Sequence, residues 1–150
     1  MFLGEFEHTI DEKNRVVIPS KFRDRLKDPG DREGFYIIAN PNVEEHCLRL
    51  YTASGWAKVV DWLREQAQQS EQPDRLLRYY ASRGEFAPLD SQGRVGIPQK
   101  IQDLVGLSKE VIMVGMLDWI ELWNVSEYKS EAEHLKPPGD PKSALWPRKR

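Results

Sequence analysis

Two Asp-x-x-x-Arg motifs are the residues of this chain whose types and spacing could carry chemistry. The first runs from Asp11 to Arg15 and the second from Asp90 to Arg94. An aspartate at the start of a turn can accept hydrogen bonds from the backbone amides that follow it. An arginine has a planar guanidinium that can donate two parallel hydrogen bonds, for instance to the O6/N7 edge of guanine. The pattern therefore predicts two turns, each of which presents an arginine.

The fourth position of each motif supports the prediction of a turn. It holds Asn14 in the first copy and Gly93 in the second, the two residue types that most readily adopt a left-handed backbone. Two interpretations of the charged residues remain open. The aspartate and arginine can form an ion pair that only fixes the shape of the turn, with Asp11 and Asp90 as structural residues, or the arginine can face a ligand.

The two motifs belong to a longer internal repeat. Residues 11–26 align with residues 90–105 without a gap and share seven of sixteen residues. The identical pairs are Asp11/Asp90, Arg15/Arg94, Val16/Val95, Ile18/Ile97, Pro19/Pro98, Lys21/Lys100 and Asp24/Asp103. Upstream, Gly-Glu-Phe at 4–6 recurs at 84–86 with one residue fewer before the aspartate, and downstream, 35–39 and 47–51 have counterparts at 111–115 and 119–123. The chain is thus a tandem duplication of a unit of about 45 residues.

Each unit has the pattern of four short strands and one short helix. In the first copy the strands are expected near 6–10, 15–18, 35–39 and 47–51, the last two as a hairpin. Pro19 ends the second strand, Ser20 is a candidate N-cap, and Phe22 and Leu26 would share the buried face of the helix. Ile101 and Val105 are their equivalents in the second copy. Because four such strands bury little apolar surface, we expect the two units to interleave pseudo-symmetrically in an α+β fold.

Helices are expected between and after the units. An apolar stripe follows Ser54, a candidate cap, and a polar break at 68–73 separates this helix from a second one at 74–82. The stripe consists of Trp56, Val59, Val60 and Leu63, and its counterparts after the second unit are Ser126, Tyr128, Ala132 and Leu135. The proline-rich tail, 137–150, is expected to be disordered.

Composition excludes several classes of protein. The chain has 150 residues, 22 Lys and Arg against 24 Asp and Glu, and a net charge of -2. It is therefore not a polybasic protein that binds phosphate through excess charge. The acidic start and the lack of a long apolar run favour a cytoplasmic protein without a membrane span. Cys47 is the only cysteine, and with its neighbour His46 it is too little to suggest a metal site, so we expect neither metal nor cofactor.

Three segments resemble the MraZ family of bacterial transcriptional regulators over about residues 1–135. They are MFLGEFEHTIDEKNRVVIPSKFR, LDSQGRVGIPQKI and LVGLSKEVIMVGMLDWIELWN. The resemblance implies two AbrB-like swapped-hairpin domains, 5–53 and 82–125, that form a pseudodimeric small β-barrel flanked by helices. The helices would be a connection at 54–81 and a C-terminal helix at 126–136.

The resemblance also implies a function and partners. Members of this family form ring-shaped homo-oligomers and bind direct repeats of double-stranded DNA in the promoter of the division and cell-wall gene cluster, which they repress together with their own gene. The protein would then be cytoplasmic and associated with the nucleoid, and would act on no small-molecule substrate.

Local charge indicates where DNA should bind. Residues 11–27 carry six basic and three acidic side chains, a net charge of +3, whereas 90–106 is neutral. We expect the first loop to enter or straddle the major groove, with Arg15 at a guanine edge and basic side chains nearby on phosphates. Unit two would mainly complete the fold. The candidate DNA-binding residues are Arg15, Lys13, Asn14, Lys21, Arg23, Arg25 and Arg94, and the structural ones Asp11, Asp90 and Gly93.

Two other classes of function, an enzyme and a protein-interaction module, are alternatives to the regulator. An enzyme would have to use Asp11, Asp90 and the three histidines, but the sequence contains no nucleophile elbow, glycine-rich phosphate loop or metal-ligand spacing. We therefore expect no enzyme. An antitoxin-like or other protein-interaction module would use the proline-rich tail, which keeps this alternative open.

Overall fold

The fold was obtained as a computed structural model that describes residues 1–42 and 44–134. The predicted tail at 137–150 and the last residues of the predicted C-terminal helix, Leu135 included, lie outside the described residues. Among the described residues, no helix is both long and apolar enough to cross a membrane.

Each unit folds into four strands and one short helix, as the repeat predicts. In chain order the strands are β1 (Glu5–Thr9), β2 (Arg15–Val17), β3 (Gly34–Ala39), β4 (Cys47–Tyr51), β5 (Gly84–Pro88), β6 (Arg94–Gly96), β7 (Glu110–Gly115) and β8 (Ile120–Asn124). The helices are α1 (Ser20–Arg23), α2 (Ala53–Gln69), α3 (Pro73–Ala81), α4 (Gln99–Val105) and α5 (Val125–Ala132). A 3₁₀ turn spans Pro29–Arg32. The strand bounds differ from the expected ones by about one residue. Two helices are shorter than expected: α1 ends at Arg23, before Leu26, and α5 ends at Ala132, so Glu133 and His134 lie outside the helix that was expected to reach 136.

The strands of the two units pair with each other rather than within one unit alone. The main sheet has six antiparallel strands in the order β1-β7-β8-β4-β3-β5, and β2 pairs with β6 in a separate two-stranded ribbon. The first strand of each unit thus lies beside the third strand of the other. This exchange is the interleaving that the duplication predicts, so the α+β fold with swapped hairpins is confirmed.

A pseudo-twofold axis relates the units and passes through two residue pairs. Val16 lies opposite its own equivalent, Val95, in the ribbon. Arg49 lies opposite its equivalent, Glu121, where β4 meets β8 at the centre of the sheet. The sequence repeat is therefore also a structural symmetry, with the ribbon at one end of the axis and the sheet centre at the other.

The main core fills the space between one face of the sheet, the ribbon and the short helices. Phe22 of α1 is 1 % exposed and packs edge-to-face against Phe2 and Phe6, with ring centroids 5.5 and 5.1 Å away. Leu26 and the equivalent residues Ile101 and Val105 are also buried. The predicted inner face is therefore confirmed for α4, whereas in unit one both residues are buried but Leu26 follows the end of α1.

The opposite face of the sheet is covered on the side of unit one by α2 and α3. The ring of Trp56 stacks on that of Tyr36 with centroids 5.5 Å apart, and Leu63 is buried. Val59 and Val60 are only half-buried. The predicted stripe thus packs on the sheet, but incompletely.

Two predicted helix caps are wrong by one or two positions. Ser20 is the first residue of α1, and Pro19, whose backbone is extended, stands at the N-cap without a side-chain bond. Helix α2 is capped by Thr52, whose Oγ1 accepts a 3.0 Å hydrogen bond from the amide of Gly55. Ser54 instead donates to Asp31 through its hydroxyl and its amide. Where two cap-forming residues lie close together, the sequence pattern does not decide between them.

The proposed match of Gly-Glu-Phe at 4–6 with 84–86 is out of register by one residue. Glu5 pairs with Val114, and Gly84 pairs with Ile38, the equivalent of Val114. Gly84 therefore occupies the place of Glu5. The two residues stand equally far before Asp90 and Asp11, so an alignment without a gap gives the same match. A shift of one residue would turn each side chain to the opposite face of the sheet. The strand pairing, and not the identical tripeptide, therefore defines which residues are equivalent.

Candidate nucleic-acid interface

The first Asp-x-x-x-Arg motif folds into a turn that its aspartate holds together. One carboxylate oxygen of Asp11 accepts hydrogen bonds from the amides of Lys13 and Arg15, both at 2.9 Å. Asn14 adopts a left-handed backbone with φ of 61°. The second turn repeats this geometry from Asp90, whose oxygen accepts from Gln92 and Arg94 at 2.9 Å.

The arginine of each motif is tied to its own aspartate. The Nε of Arg15 lies 2.9 Å from the second carboxylate oxygen of Asp11, and the corresponding distance for Arg94 and Asp90 is 2.8 Å. The predicted ion pairs are thus present. They use only Nε, and among the described residues neither arginine donates a hydrogen bond from its Nη atoms. The pair therefore orients the guanidinium and leaves its outer edge available to a ligand.

Hydrogen bonds also change the acidity of both aspartates. The hydrogen bond from the amide of Arg15 is the largest effect on the pKa of Asp11, and it lowers this pKa from the usual 3.8. Desolvation raises the pKa, but the bonds from the Arg15 side chain and the Lys13 amide lower it further, so the net shift is downward. Arg94 and Gln92 lower the pKa of Asp90 in the same way. Both carboxylates are therefore charged at neutral pH, which keeps the two ion pairs formed.

The ribbon places both arginines on one outward surface. Val16 and Val95, which face each other on the pseudo-axis, are each 1 % exposed and point into the core. Because side chains alternate along a strand, the residues on either side of each valine point outward. The outward residues of the ribbon are Arg15, Val17, Arg94 and Gly96. Arg94 of unit two therefore lies on the same face as Arg15, although the charge balance favoured unit one alone.

Each turn is also covered by a side chain from the other unit. The Nε of Arg23 donates to the carbonyl of Ile18 at 2.9 Å, and this guanidinium lies over the second turn, where a Cβ on Gly93 would come within 2.7 Å of it. At the equivalent position, Gln102 donates to the carbonyl of Ile97 at 2.8 Å and to the side chain of Asn14 at 3.0 Å.

This exchange explains why the two turns differ in sequence. The arginine from unit one occupies the space that a side chain at position 93 would need, and Gly93 leaves that space free. The shorter glutamine from unit two leaves room for Asn14 and donates a hydrogen bond to it. Gln102 was not among the predicted residues. The repeat alignment, which sets Arg23 against Gln102, was the signal that could have identified it.

The remaining predicted residues do not all lie on the ribbon face. Lys13 lies at the exposed tip of the first turn and borders a shallow groove with Asn14 and Gly96. Lys21 is also exposed, with its Nζ 5.9 Å from the centre of the Phe6 ring. Arg25 instead borders a cavity of about 370 Å³ beside the start of α2. The structure thus groups Lys13 with the ribbon face and leaves Arg25 beside that cavity.

Among the described residues, one cluster has donor atoms close enough for a metal ion. The side chains of Glu45, Cys47 and Glu121 offer donor atoms within 4.8 Å of one another. Burial raises the pKa of the Cys47 thiol to about 12, and Cys47 accepts a hydrogen bond from Asn40. A buried thiol that accepts a hydrogen bond from a neighbouring amide fits a structural role.

The chain matches known proteins over most of its length. Residues 1–79 and 84–137 match the family model described as "MraZ protein, putative antitoxin-like". A protein named "Transcriptional regulator MraZ" from Halothermothrix orenii is 34% identical over 124 residues, covering 83% of this chain and 81% of the relative. One of the same name from Moorella thermoacetica is 31% identical over 145 residues, covering 97% and 94%. Another, from Pediococcus pentosaceus, is 32% identical over 136 residues, covering 91% and 90%.

The fit between each turn and its covering side chain predicts a coupled effect of substitutions. In Gly93→Asn, Arg23 must leave the carbonyl of Ile18, so the free energy of unfolding should fall by about 1 kcal/mol, the value of a hydrogen bond. Adding Arg23→Gln copies the Asn14/Gln102 arrangement and should restore most of this loss. Urea unfolding of the wild type, both single variants and the double variant measures the coupling. If the costs of the two single changes simply add, the steric explanation is wrong.

The lowered pKa values of the two aspartates predict a pH-dependent stability. The native carboxylates titrate below the unfolded value of 3.8, so their contribution is present above about pH 4 and is lost as the pH falls through the native pKa. The double variant Asp11→Asn/Asp90→Asn should therefore be less stable than the wild type at pH 7, and this difference should shrink in acid. Urea titrations between pH 7 and pH 3 measure it. A difference that stays constant with pH would contradict the ionic contribution.

Proposed function

Because the chain belongs to the MraZ family, we propose that it is a transcriptional regulator that binds double-stranded promoter DNA with the outward face of its β2–β6 ribbon. The observation that supports this most is the pair of arginines, Arg15 and Arg94, on one surface, each oriented by its own aspartate. The relatives are named as regulators and not for a catalytic activity, so the chain is not an enzyme.

The major groove of DNA admits a two-stranded β-ribbon, and β2 and β6 form such a ribbon. With Nε held by the aspartate, the two Nη atoms of Arg15 form the free edge of the guanidinium. This edge matches the O6 and N7 acceptors of guanine in a bidentate contact. Arg94, related to Arg15 by the pseudo-axis, would make the corresponding contact from unit two.

The neighbouring basic residues would bind phosphates. Lys13 borders the ribbon face and Lys21 is exposed on α1, and neither has an acidic partner within salt-bridge distance among the described residues. Arg23 has a structural bond through Nε, so it would contact a phosphate only with its Nη atoms. Phosphate contacts fix the position of the protein on the duplex, whereas the arginine contacts to bases provide the selectivity.

One ribbon presents few charges, so tight binding requires several copies. We extend the proposal to a ring-shaped homo-oligomer that places successive ribbons on direct repeats, which raises affinity through effective concentration. Bound repeats in the promoter of the division and cell-wall gene cluster, which includes the protein's own gene, would block transcription and concentrate the protein on the nucleoid. A monomer in light scattering at micromolar concentration would contradict the ring.

Substitution of the two arginines tests the interface. Arg15→Ala and Arg94→Ala should each weaken binding to DNA from upstream of the protein's own gene by about tenfold or more, because each removes a bidentate base contact. Lys13→Ala should weaken it less and should reduce its salt dependence by about one phosphate contact. Fluorescence anisotropy against salt concentration measures both effects.

Arg64→Ala is the matched control, because Arg64 is an exposed arginine on α2, away from the ribbon. The affinity of the Arg64→Ala variant for the upstream duplex should equal that of the wild type. If Arg15→Ala, Arg94→Ala and Lys13→Ala all bind as the wild type does, the ribbon is not the DNA-binding surface.

A further inference from the structure

An exposed apolar side chain lies beside Arg94 on the outward face of the ribbon. Val17 is 40 % exposed and stands directly opposite Arg94 in the strand pairing. A valine in this position contributes little to the core, which its neighbour Val16 enters with 1 % exposure. Its methyl groups are therefore presented outward, within the surface that we assign to DNA.

The pseudo-equivalent position in unit two has no side chain. Gly96 stands opposite Arg15, as Val17 stands opposite Arg94. A Cβ built on Gly96 would meet nothing within 4 Å, so the absence of a side chain there is not imposed by packing. The outward face thus has two equivalent arginines but an apolar group beside only one of them.

Thymine is the one base that offers an apolar group in the major groove. Its C5-methyl is contacted by small apolar side chains, whereas the other bases present donors and acceptors at their edges. Directly opposite residues of an antiparallel pair have Cβ atoms about 5 Å apart, and neighbouring base pairs are stacked about 3.4 Å apart, so two such side chains can reach adjacent base pairs. Val17 is also stiff at χ1, so little entropy is lost when it packs on a methyl group.

We propose that Val17 contacts the C5-methyl of a thymine next to the base pair that Arg94 contacts, and that Gly96 leaves the equivalent place beside Arg15 without this contact. The inference rests on the proposed function, and it adds a thymine to the DNA sequence that the ribbon would recognise. It also gives the ribbon a direction. A fully symmetric ribbon would bind a site equally well in both orientations, whereas one with a valine on one side only prefers the orientation that brings Val17 to the thymine.

Replacement of thymine by uracil tests the contact, because uracil lacks only the methyl group. The probe is the duplex from upstream of the protein's own gene, synthesised once with thymine and once with uracil throughout. Wild-type protein should bind the thymine duplex at least threefold more tightly, which is about the effect of one buried methyl group. Val17→Ala, which keeps only Cβ, should lose most of this preference, and Val17→Thr, which keeps one γ-methyl, should retain more of it.

The opposite substitution is the matched control for symmetry. Gly96→Val adds the missing side chain in open space, so it should create sensitivity to uracil at a second position, related to the first by the pseudo-axis. Duplexes with a single thymine replaced by uracil locate both positions. Thermal melting followed by circular dichroism should give the wild-type midpoint for all three variants, since residues 17 and 96 lie on the surface.

The outcomes separate the contact from the function on which it rests. Equal affinity of the wild type for the two duplexes, or a preference for thymine that is as large in Val17→Ala as in the wild type, rejects the contact of Val17 while DNA binding stands. If wild-type protein binds the upstream duplex no better than one of shuffled sequence, the proposed function is rejected and the contact with it.

Discussion

The contact between β4 and β8 holds the two halves of the molecule together, and its centre is an ion pair on the pseudo-axis. The Nε of Arg49 lies 3.7 Å from a carboxylate oxygen of Glu121, whose two oxygens also accept hydrogen bonds from the indoles of Trp119 and Trp123. The Arg49 guanidinium lies 4.9 Å from the centre of the Trp119 ring. Glu121 is 5 % exposed, so it is a buried charge that would be costly without these partners.

The position of this pair on the axis has a consequence for assembly. In a true dimer of unit one, Arg49 would face a second Arg49, and in a dimer of unit two, Glu121 would face a second Glu121. Like charges directly opposite each other in a sheet are destabilising. The pair therefore favours association of unit one with unit two, which the single chain supplies at high effective concentration. The same axis passes between Val16 and Val95, so an association that pairs unit one with unit two at the sheet centre also pairs β2 with β6 in the ribbon.

The sequence predicted those features that depend on local rules or on the repeat. The left-handed backbones of Asn14 and Gly93 were predictable because few residue types adopt them, and their φ values are 61° and 76°. The caps of α1 and α2 were misplaced because Ser, Thr and Pro lie next to one another there. The bond between Gln102 and Asn14 joins residues 88 positions apart, so it depends on how the units interleave, which no local pattern encodes.

The aspartate of each turn limits how the arginine can attract DNA. A carboxylate 2.9 Å from Arg15 cancels much of its charge at a distance and also repels phosphate, so the pair weakens sequence-independent attraction. In return it fixes the direction of the Nη atoms, which lowers the entropy lost when they bond to a base. Such a surface gains selectivity and loses general affinity, in keeping with a chain whose net charge is -2. Under the proposed function, affinity would then come from repetition of the ribbon along the DNA, so the proposed self-association would supply the attraction that the neutral turns lack.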